Sequence, residues 1–451
     1  MISYIEEPAR SVPVAHDCDL CVVGGSCTGV FAAVRAARLG LSVCVVEQNV
    51  IFGGVATAAQ VNEWHSIYDA NFQTVVIGGL TIELIDRLKK RDAVRELPRG
   101  GRGQFRFNSA EMAGELDRLV VENNIRPFLR ATCVGAVRDG ERIRAVVIED
   151  KSGRRAIAAR FFIDASGDGD LLRRAGFGAY QAQQLQPVNL QAVVANFDAA
   201  RAEAPDGDWW KSVRDLSEQH GYPTTTASPW PFDVPGAPGL TNVFGPRVSG
   251  VDGSNADHVT TALINGRSYV RALADMTRAR LNVPLPIVAW AQALAVRQTW
   301  QAKCHHQLTG DELLGGVKFD DAIANGTYPV DVHHPGGTYL RYLDGREEIV
   351  GPDGSHRWGR WRDASTPTPR CYHVPYRAIL PKDAANLLVA GRLLDADADA
   401  FGGVRVMVNM NQTGEAAGVA SVIALRTTND VRTIDIGNLR RTLGEGGSVV
   451  V

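Results

Sequence analysis

The segment Asp19–Glu47 constrains this chain more than any other. Asp19-Leu-Cys-Val-Val-Gly24 is an apolar run closed by glycine, the pattern of a buried parallel strand. Gly24-Gly25-Ser26-Cys27-Thr28-Gly29 follows, then good helix formers from Val30 to Leu39 with a stop at Gly40. Leu41-Ser-Val-Cys-Val-Val46 reads as a second apolar strand, closed by Glu47. Strand, glycine turn, helix and strand within about thirty residues make a βαβ unit, which sets the class as α/β. Gly24 permits the tight turn, and Gly29 and Ala33 let the helix lie close on the strand. The amino end of that helix aims N–H groups and a positive dipole outward, which suits a pyrophosphate. Glu47 is placed to accept from a ribose hydroxyl. Ser26 stands where glycine is usual, so its hydroxyl either donates to a phosphate oxygen or sets the diphosphate slightly farther out. The unit is read as dinucleotide-binding, with Gly24, Gly25, Ser26, Thr28, Gly29 and Glu47 as its contacts.

The remainder of the chain selects the dinucleotide. Two glycine doublets follow, Gly53-Gly54 and Gly78-Gly79, before a helix predicted from Leu80 to Arg91. Ser109 is expected to cap a helix running to Asn123. From Arg126 to Ala165, short strands split by Asp139-Gly140 and Lys151-Ser-Gly153 read as a β-meander. Between about Gln181 and Ala378, Pro, Trp and Gly become frequent, and helix signals are confined to 256–281 and 290–305. Asn386-Leu-Leu-Val-Ala-Gly391 then restores a core strand, and Gln412–Leu425 is helical and rich in small residues. An NAD fold continues with alternating strands and helices, whereas a β-meander and a late core strand fit FAD. Asp395, at a strand end, can bond ribityl hydroxyls. A helix starting near Asn411–Thr413 can set its positive end against the flavin N1/C2 region.

Taken in order, Val22-Val-Gly-Gly-Ser26, Phe52-Gly-Gly-Val-Ala-Thr57, Phe162-Ile-Asp-Ala-Ser-Gly-Asp-Gly-Asp170, Tyr328-Pro-Val-Asp-Val-His333, Tyr372–Pro381, Asn386–Arg392 and Gly403-Val-Arg405 resemble the FAD-dependent oxidoreductases of the glutathione-reductase-like fold, in the branch with a Gly-Gly-x-Ala-Thr signature. The resemblance runs along most of the chain. It implies a discontinuous, Rossmann-like FAD domain with a β-meander, made from residues 1–180 and 379–451, and an inserted substrate domain at 181–378. By the same resemblance Gly53, Gly54 and Thr57 border the pyrophosphate and isoalloxazine, and Val134 lies beside adenine. Ser166, Gly167 and Asp168 close over the nucleotide, and Arg392 and Asp395 reach the ribityl chain and flavin. The triple acid Asp395-Ala-Asp-Ala-Asp399 departs from the family, which more often carries Ser, Thr and His there. Gly53–Gln60 holds neither His nor Cys, so FAD is expected to be non-covalent.

FAD carries the redox chemistry, and the protein positions substrate and moves protons. His65, in Asn62-Glu-Trp-His-Ser66, is tethered close to the flavin loop and is the first candidate for proton handling; the competing role is a histidine packed on Trp64. His333 sits in a segment the family shares, and Tyr372 and His373 precede the return to the FAD domain; substrate contact competes there with loop ordering. Arg377 and Arg405 could meet a substrate carboxylate or the flavin carbonyl. The basic residues from Arg87 to Arg106 are diluted by Asp86, Asp92 and Glu96 and read as a solvated face. The His305-His306 and His333-His334 pairs lack metal-ligand spacing, so no metal is expected.

The reading is therefore an enzyme moving a hydride between a small organic substrate and flavin N5. With no second dinucleotide fingerprint, electrons pass to or from an external partner, oxygen or NAD(P)H. A flavin monooxygenase shares the fold, and a non-catalytic flavin carrier is the rival of another class. The 451 residues carry 48 basic and 50 acidic side chains, which disfavours attraction to nucleic acid or acidic membrane. No run approaches a membrane span. Scattered cysteines and a polar start without an apolar h-region fit the cytoplasm. A homo-oligomer is compatible with all of this.

Overall fold

The computed structural model describes residues 4–223, 229–334, 336–351 and 355–451. The βαβ unit forms as the sequence reads: strand Val14–Val23, helix Cys27–Arg38 and strand Val43–Glu47, the two strands parallel with Val23 opposite Val46. Every residue from Leu20 to Val23 and from Val43 to Glu47 is buried, as a sheet covered on both faces requires.

The central sheet is seven-stranded and mixed, so the protein is an α/β fold. In spatial order its strands are Arg126–Leu129, Val43–Glu47, Val14–Val23, Gly153–Asp164, Arg142–Asp150 and Thr132–Asp139. The long strand Gly153–Asp164 serves two layers. Its first half pairs antiparallel with Arg142–Asp150, which makes the meander, and its last residues pair parallel with Leu387–Val389. Val23, Glu47, Leu129, Asp164 and Val389 consequently end at one sheet edge. Ligands of open α/β sheets bind outside the carboxyl ends of such strands.

The closing helix Met407–Arg426 packs on Cys27–Arg38. It begins five residues before the predicted Gln412, because Val406 rather than the Asn411–Thr413 segment is its cap position. Its small residues let the two backbones nearly touch. An added Cβ at Gly414 would lie 2.0 Å from the Thr28 carbonyl, and one at Gly418 2.3 Å from that of Ala32. Between the helices, the Arg35 Nε sits 3.5 Å from the buried Glu415 carboxylate.

The middle of the chain supplies a four-stranded antiparallel sheet containing Gln191–Ala195, Trp230–Asp233, Leu240–Phe244 and Ile287–Trp290, crossed by the helix Ala256–Leu281. Two small apolar clusters of its own hold this part together, whereas side chains from Ala302 onward join the main core. The helix expected at 290–305 does not form. Ile287–Trp290 and Trp300–Ala302 are strands, and between them Gln292 and Ala293 donate backbone N–H groups to the Ala58 carbonyl. Helix Ser109–Glu122 is capped by Asn108, whose side chain accepts from Ala110 and Glu111 N–H, rather than by Ser109. Among the described residues no helix is long and apolar enough to cross a membrane.

Candidate functional site

A single cavity of about 970 Å³ runs from the carboxyl edge of the parallel strands into the middle sheet. Its near end is the glycine turn. Gly24 has φ +100°, and a Cβ there would stand 2.4 Å from the Ala165 carbonyl, so only glycine fits. At Gly29 a Cβ would lie 1.9 Å from the Gly24 carbonyl oxygen. Ser26 is the cap of helix Cys27–Arg38, its Oγ accepting from Gly29 N–H at 3.4 Å; capping is the use found for the side chain that departs from glycine. Opposite, a Cβ at Gly54 would strike the Cβ of Ser26 at 2.9 Å, so a side chain at 26 demands none at 54. Gly53 N–H donates to the Gly25 carbonyl at 2.8 Å, tying the glycine doublet to the turn.

Glu47 closes this end. One carboxylate oxygen accepts from Gly25 N–H at 2.6 Å, and the other from the backbone and side-chain N–H groups of Asn49, both at 2.7 Å. Farther along, Asp168 accepts from Thr299 Oγ1 at 2.7 Å and from Arg392 Nη2 at 3.2 Å. Arg392 lies so close over Gly167 that a Cβ there would meet its guanidinium at 2.4 Å. Ser166 Oγ donates to Asp164 at 2.6 Å, and Asp164 also caps Leu171 and Leu172 N–H, which orders this loop.

The far end is built around a short strand, Glu63–His65, whose alternation buries Trp64 in the core and turns Glu63 and His65 to the cavity. His65 stacks on Tyr328, ring centroids 4.2 Å apart, instead of packing on Trp64. Its Nδ1 lies 3.2 Å from the Arg102 carbonyl, so Nδ1 carries the proton and donates, and Nε2 keeps its lone pair. Burial, together with the cations Arg405 and Arg102, outweighs Asp331 and takes this imidazole down to about 4. Tyr328 donates to Asp331 Oδ2 at 2.5 Å, and Arg405 reaches the same oxygen at 3.5 Å. Burial pushes Asp331 up, but the Arg405 guanidinium and the Tyr328 hydroxyl outweigh it and hold the carboxyl well below its usual range.

His333 shares a face with Asp331 on strand Val330–His334. Burial and surrounding arginines hold it far below an ordinary imidazole, hence neutral. Arg247 Nη1 donates to Thr338 Oγ1 at 2.7 Å, leaving that hydroxyl to donate to His333 Nδ1 at 3.0 Å. The remaining proton sits on Nε2, 3.3 Å from Asp331 Oδ1. His333 Nδ1 is engaged by Thr338, while Asp331 Oδ1 takes no hydrogen bond from Nε2; of these two imidazoles, His65 keeps a free lone pair.

Gly24, Ser26, Thr28, Glu47, Gly53, Gly54, Ser166, Gly167, Asp168, His65, His333, Arg392 and Arg405 thus line one cavity. Other expected residues stand behind it. Val134 faces a separate shallow surface pocket beside Glu7, because strand alternation turns Ala131 and Cys133 inward. The Asp395 carboxylate accepts from Tyr180 Oη and Cys304 N–H, both at 2.8 Å, and from Gln307 at 3.1 Å. Thr57 donates to the Phe52 carbonyl at 2.6 Å, and Thr413 to that of Met410 at 2.6 Å; Met410 and Asn411, one turn earlier, line the wall instead. The Gly403 carbonyl accepts from Tyr372 Oη at 2.9 Å, and His373 Nδ1 lies 2.9 Å from Asn325 Oδ1; both aromatic residues are buried in packing. Arg377 pairs with Asp321 at 2.9 Å, away from the cavity. Arg102 and Arg106, from the basic stretch read as a solvated face, also line the cavity, Arg102 while remaining exposed, as do Arg297 and Gln191. Nothing local in the sequence marks Arg297 or Gln191, whereas Asp331 and His333, two apart on a strand, carry a visible period-two signal.

Polar atoms with no partner gather along the cavity: both side-chain amide atoms of Gln191, Asn411 Oδ1, Asp331 Oδ1, Arg392 Nη1 and Arg405 Nε. Buried polar groups are ordinarily hydrogen-bonded, so this set fits a polar occupant, and the length and glycine cradle fit a dinucleotide.

A family model described as FAD dependent oxidoreductase matches residues 19–443. A stretch of 107 residues is 32% identical to the mitochondrial dihydrolipoyl dehydrogenase of Schizosaccharomyces pombe (strain 972), covering 21% of each chain, so this chain spans about a fifth of the length of that relative. Among solved structures it is similar to a geranylgeranyl bacteriochlorophyll reductase-like protein from Thermoplasma acidophilum, at 13% identity and a TM-score of 0.45, over 95% of this chain and 83% of that one. It is also similar to the myxobacterial chondrochloren halogenase CndH, at 14% identity and a TM-score of 0.44, over 95% and 80%.

Proposed function

The chain belongs to the family of FAD dependent oxidoreductases, and from that premise we propose that it moves a hydride between a small organic substrate and flavin, with His65 as the proton-handling group. When bound, FAD supplies the two-electron redox chemistry. The helix start at Ser26–Gly29 would hold its diphosphate, Glu47 a ribose, and the wall at Ala131 and Cys133 the adenine. Gly53, Gly54, Arg392 and the helix start at Met407–Asn411 would border the remainder.

The observation that carries the reading is the open Nε2 of His65 at the cavity wall, uncharged beside a fixed Tyr328–Asp331–Arg405 network. That nitrogen accepts the proton of a substrate hydroxyl or amine as the adjacent carbon loses its hydride. Tyr328 holds the imidazole plane by stacking, and the Arg102 carbonyl fixes its tautomer. His333 offers its lone pair to the Thr338 hydroxyl, which leaves His65 as the available base.

The test takes the FAD-loaded protein and a panel of alcohols, amines and hydroxy acids, reading which compound bleaches the flavin band. His65→Gln should slow that reduction by about 10²–10⁴-fold, the usual worth of a general base, with FAD content unchanged. A change of only a few fold would remove His65 from the chemistry. Bleaching by NAD(P)H alone, followed by transfer of labelled dioxygen into product, would make the protein a monooxygenase instead.

A further inference from the structure

Four guanidinium groups crowd the far end of the cavity around one carboxylate. Arg102, Arg297 and Arg405 line it, and Arg247 stands behind Thr338 with its guanidinium 5.3 Å from the centre of the Trp230 ring, itself part of the wall. Asp331 is matched to Arg405. Among the described residues, Arg102, Arg247 and Arg297 form no ion pair. Arg297 Nη1 donates only to neutral oxygens, the Pro187 carbonyl and Asn189 Oδ1, both at 2.6 Å. The nearby acids are engaged elsewhere: Glu63 with Arg106 at 3.0 Å, Glu348 with His356 at 2.7 Å and Tyr342 at 2.8 Å. The histidines add no compensating charge.

Arg102 is exposed and the other three are partly buried; like charges held close together repel, and a cation drawn from water without a counter-charge is costly unless a ligand matches it. The cost shows on Arg297, which burial and the neighbouring Arg247 and Arg405 bring down to about 9. Two more features face the same space: the partnerless amide of Gln191 and the partnerless Nε of Arg405. Beside these cations the lining is apolar, with Trp230, Phe232, Phe244 and Leu263.

We infer that the substrate is an organic acid, its carboxylate bound by Arg297, Arg405 and the Gln191 amide within the field of Arg102 and Arg247, and its apolar body lying on Trp230, Phe232 and Phe244. This assignment rests on the oxidoreductase reading of the same cavity and names its substrate class.

Benzoate and its neutral isostere benzamide test it without turnover, by calorimetry and by perturbation of the flavin spectrum of the FAD-loaded protein. Benzoate should bind at least tenfold more tightly. Arg297→Met should cost benzoate at least tenfold and benzamide nothing, and Arg297→Lys should recover part of the loss. Equal affinity of the two probes, or no binding of either, overturns the assignment, as does an Arg297→Met variant that shifts the flavin potential while benzoate affinity holds. The wild-type comparison stands even where the variant fails to fold. Benzoate binding together with a His65→Gln variant whose flavin is reduced as fast as in the wild type would sink the proton-transfer reading and leave this one standing; a slowed His65→Gln variant with no acid preference would do the reverse.

Discussion

Replacing Gly418 by alanine tests the contact on which the cavity's shape depends. The new Cβ would sit 2.3 Å from the Ala32 carbonyl oxygen, 3.0 Å from its carbon and 3.2 Å from its Cα, all backbone of the facing helix. No side chain can swing away, so the helices must separate by about 1 Å to restore ordinary contact. Overpacking of this kind costs about 1–3 kcal/mol, and rigid backbone on both sides argues for the upper end. Alanine returns about 1 kcal/mol of helix propensity, which leaves a net loss of about 2 kcal/mol. The same displacement carries the cavity wall at Met407, Met410 and Asn411 outward, so FAD should bind about tenfold more weakly, roughly 1.4 kcal/mol. Urea unfolding followed by circular dichroism and FAD release followed by fluorescence measure the two effects. Gly114→Ala is the control: it lies on an exposed helix face with nothing within 4 Å of its added Cβ, and should gain about 0.5–1 kcal/mol. A Gly418→Ala protein as stable as wild type, with unchanged FAD affinity, would falsify the close approach of these helices.

Because His65 is brought down to about 4, its basic form persists through the neutral range. Flavin reduction by substrate should show no inflection from this group between pH 5 and 8, whereas an ordinary imidazole would lose activity as pH falls through about 6.5; stopped-flow rates across that interval decide. Tyr372→Phe removes a donor to the Gly403 carbonyl, but Asn409 still reaches that oxygen at 3.1 Å. It should therefore cost about 1–2 kcal/mol in stability and leave the flavin reduction rate within about twofold, read by denaturation and stopped flow. Acid precipitation of the FAD-loaded protein should leave the yellow colour in the supernatant; colour in the pellet would show a covalent tether.

What the sequence announced and what it concealed divide by range. The Asp19–Glu47 unit was legible because strand, turn and helix lie side by side and each demands a distinct residue type. Helix Ala256–Leu281 was equally plain, being long and capped by Asn255. Residues 290–305 misled because an apolar run cannot distinguish helix from buried loop, and here backbone bonds to Ala58 settle the matter. Asp395 looked like a cofactor ligand from its place at a strand end; Tyr180, Cys304 and Gln307, all remote in sequence, claim it. Of the arginine cluster only Arg405 was singled out in the sequence, since Arg102, Arg247 and Arg297 join it only through tertiary folding and arginine is common in this chain.

The strand Leu387–Val389 and the closing helix give the fold an order in time as well as space. On the ribosome, Val14–Val23 and Gly153–Asp164 emerge long before the partners that cover Phe162 and Ile163 on their open flank. Until those arrive the nascent sheet keeps a sticky apolar margin, and a nucleotide resting on the glycine turn would have half a wall. Loading with flavin therefore belongs after the last strand and the closing helix have docked.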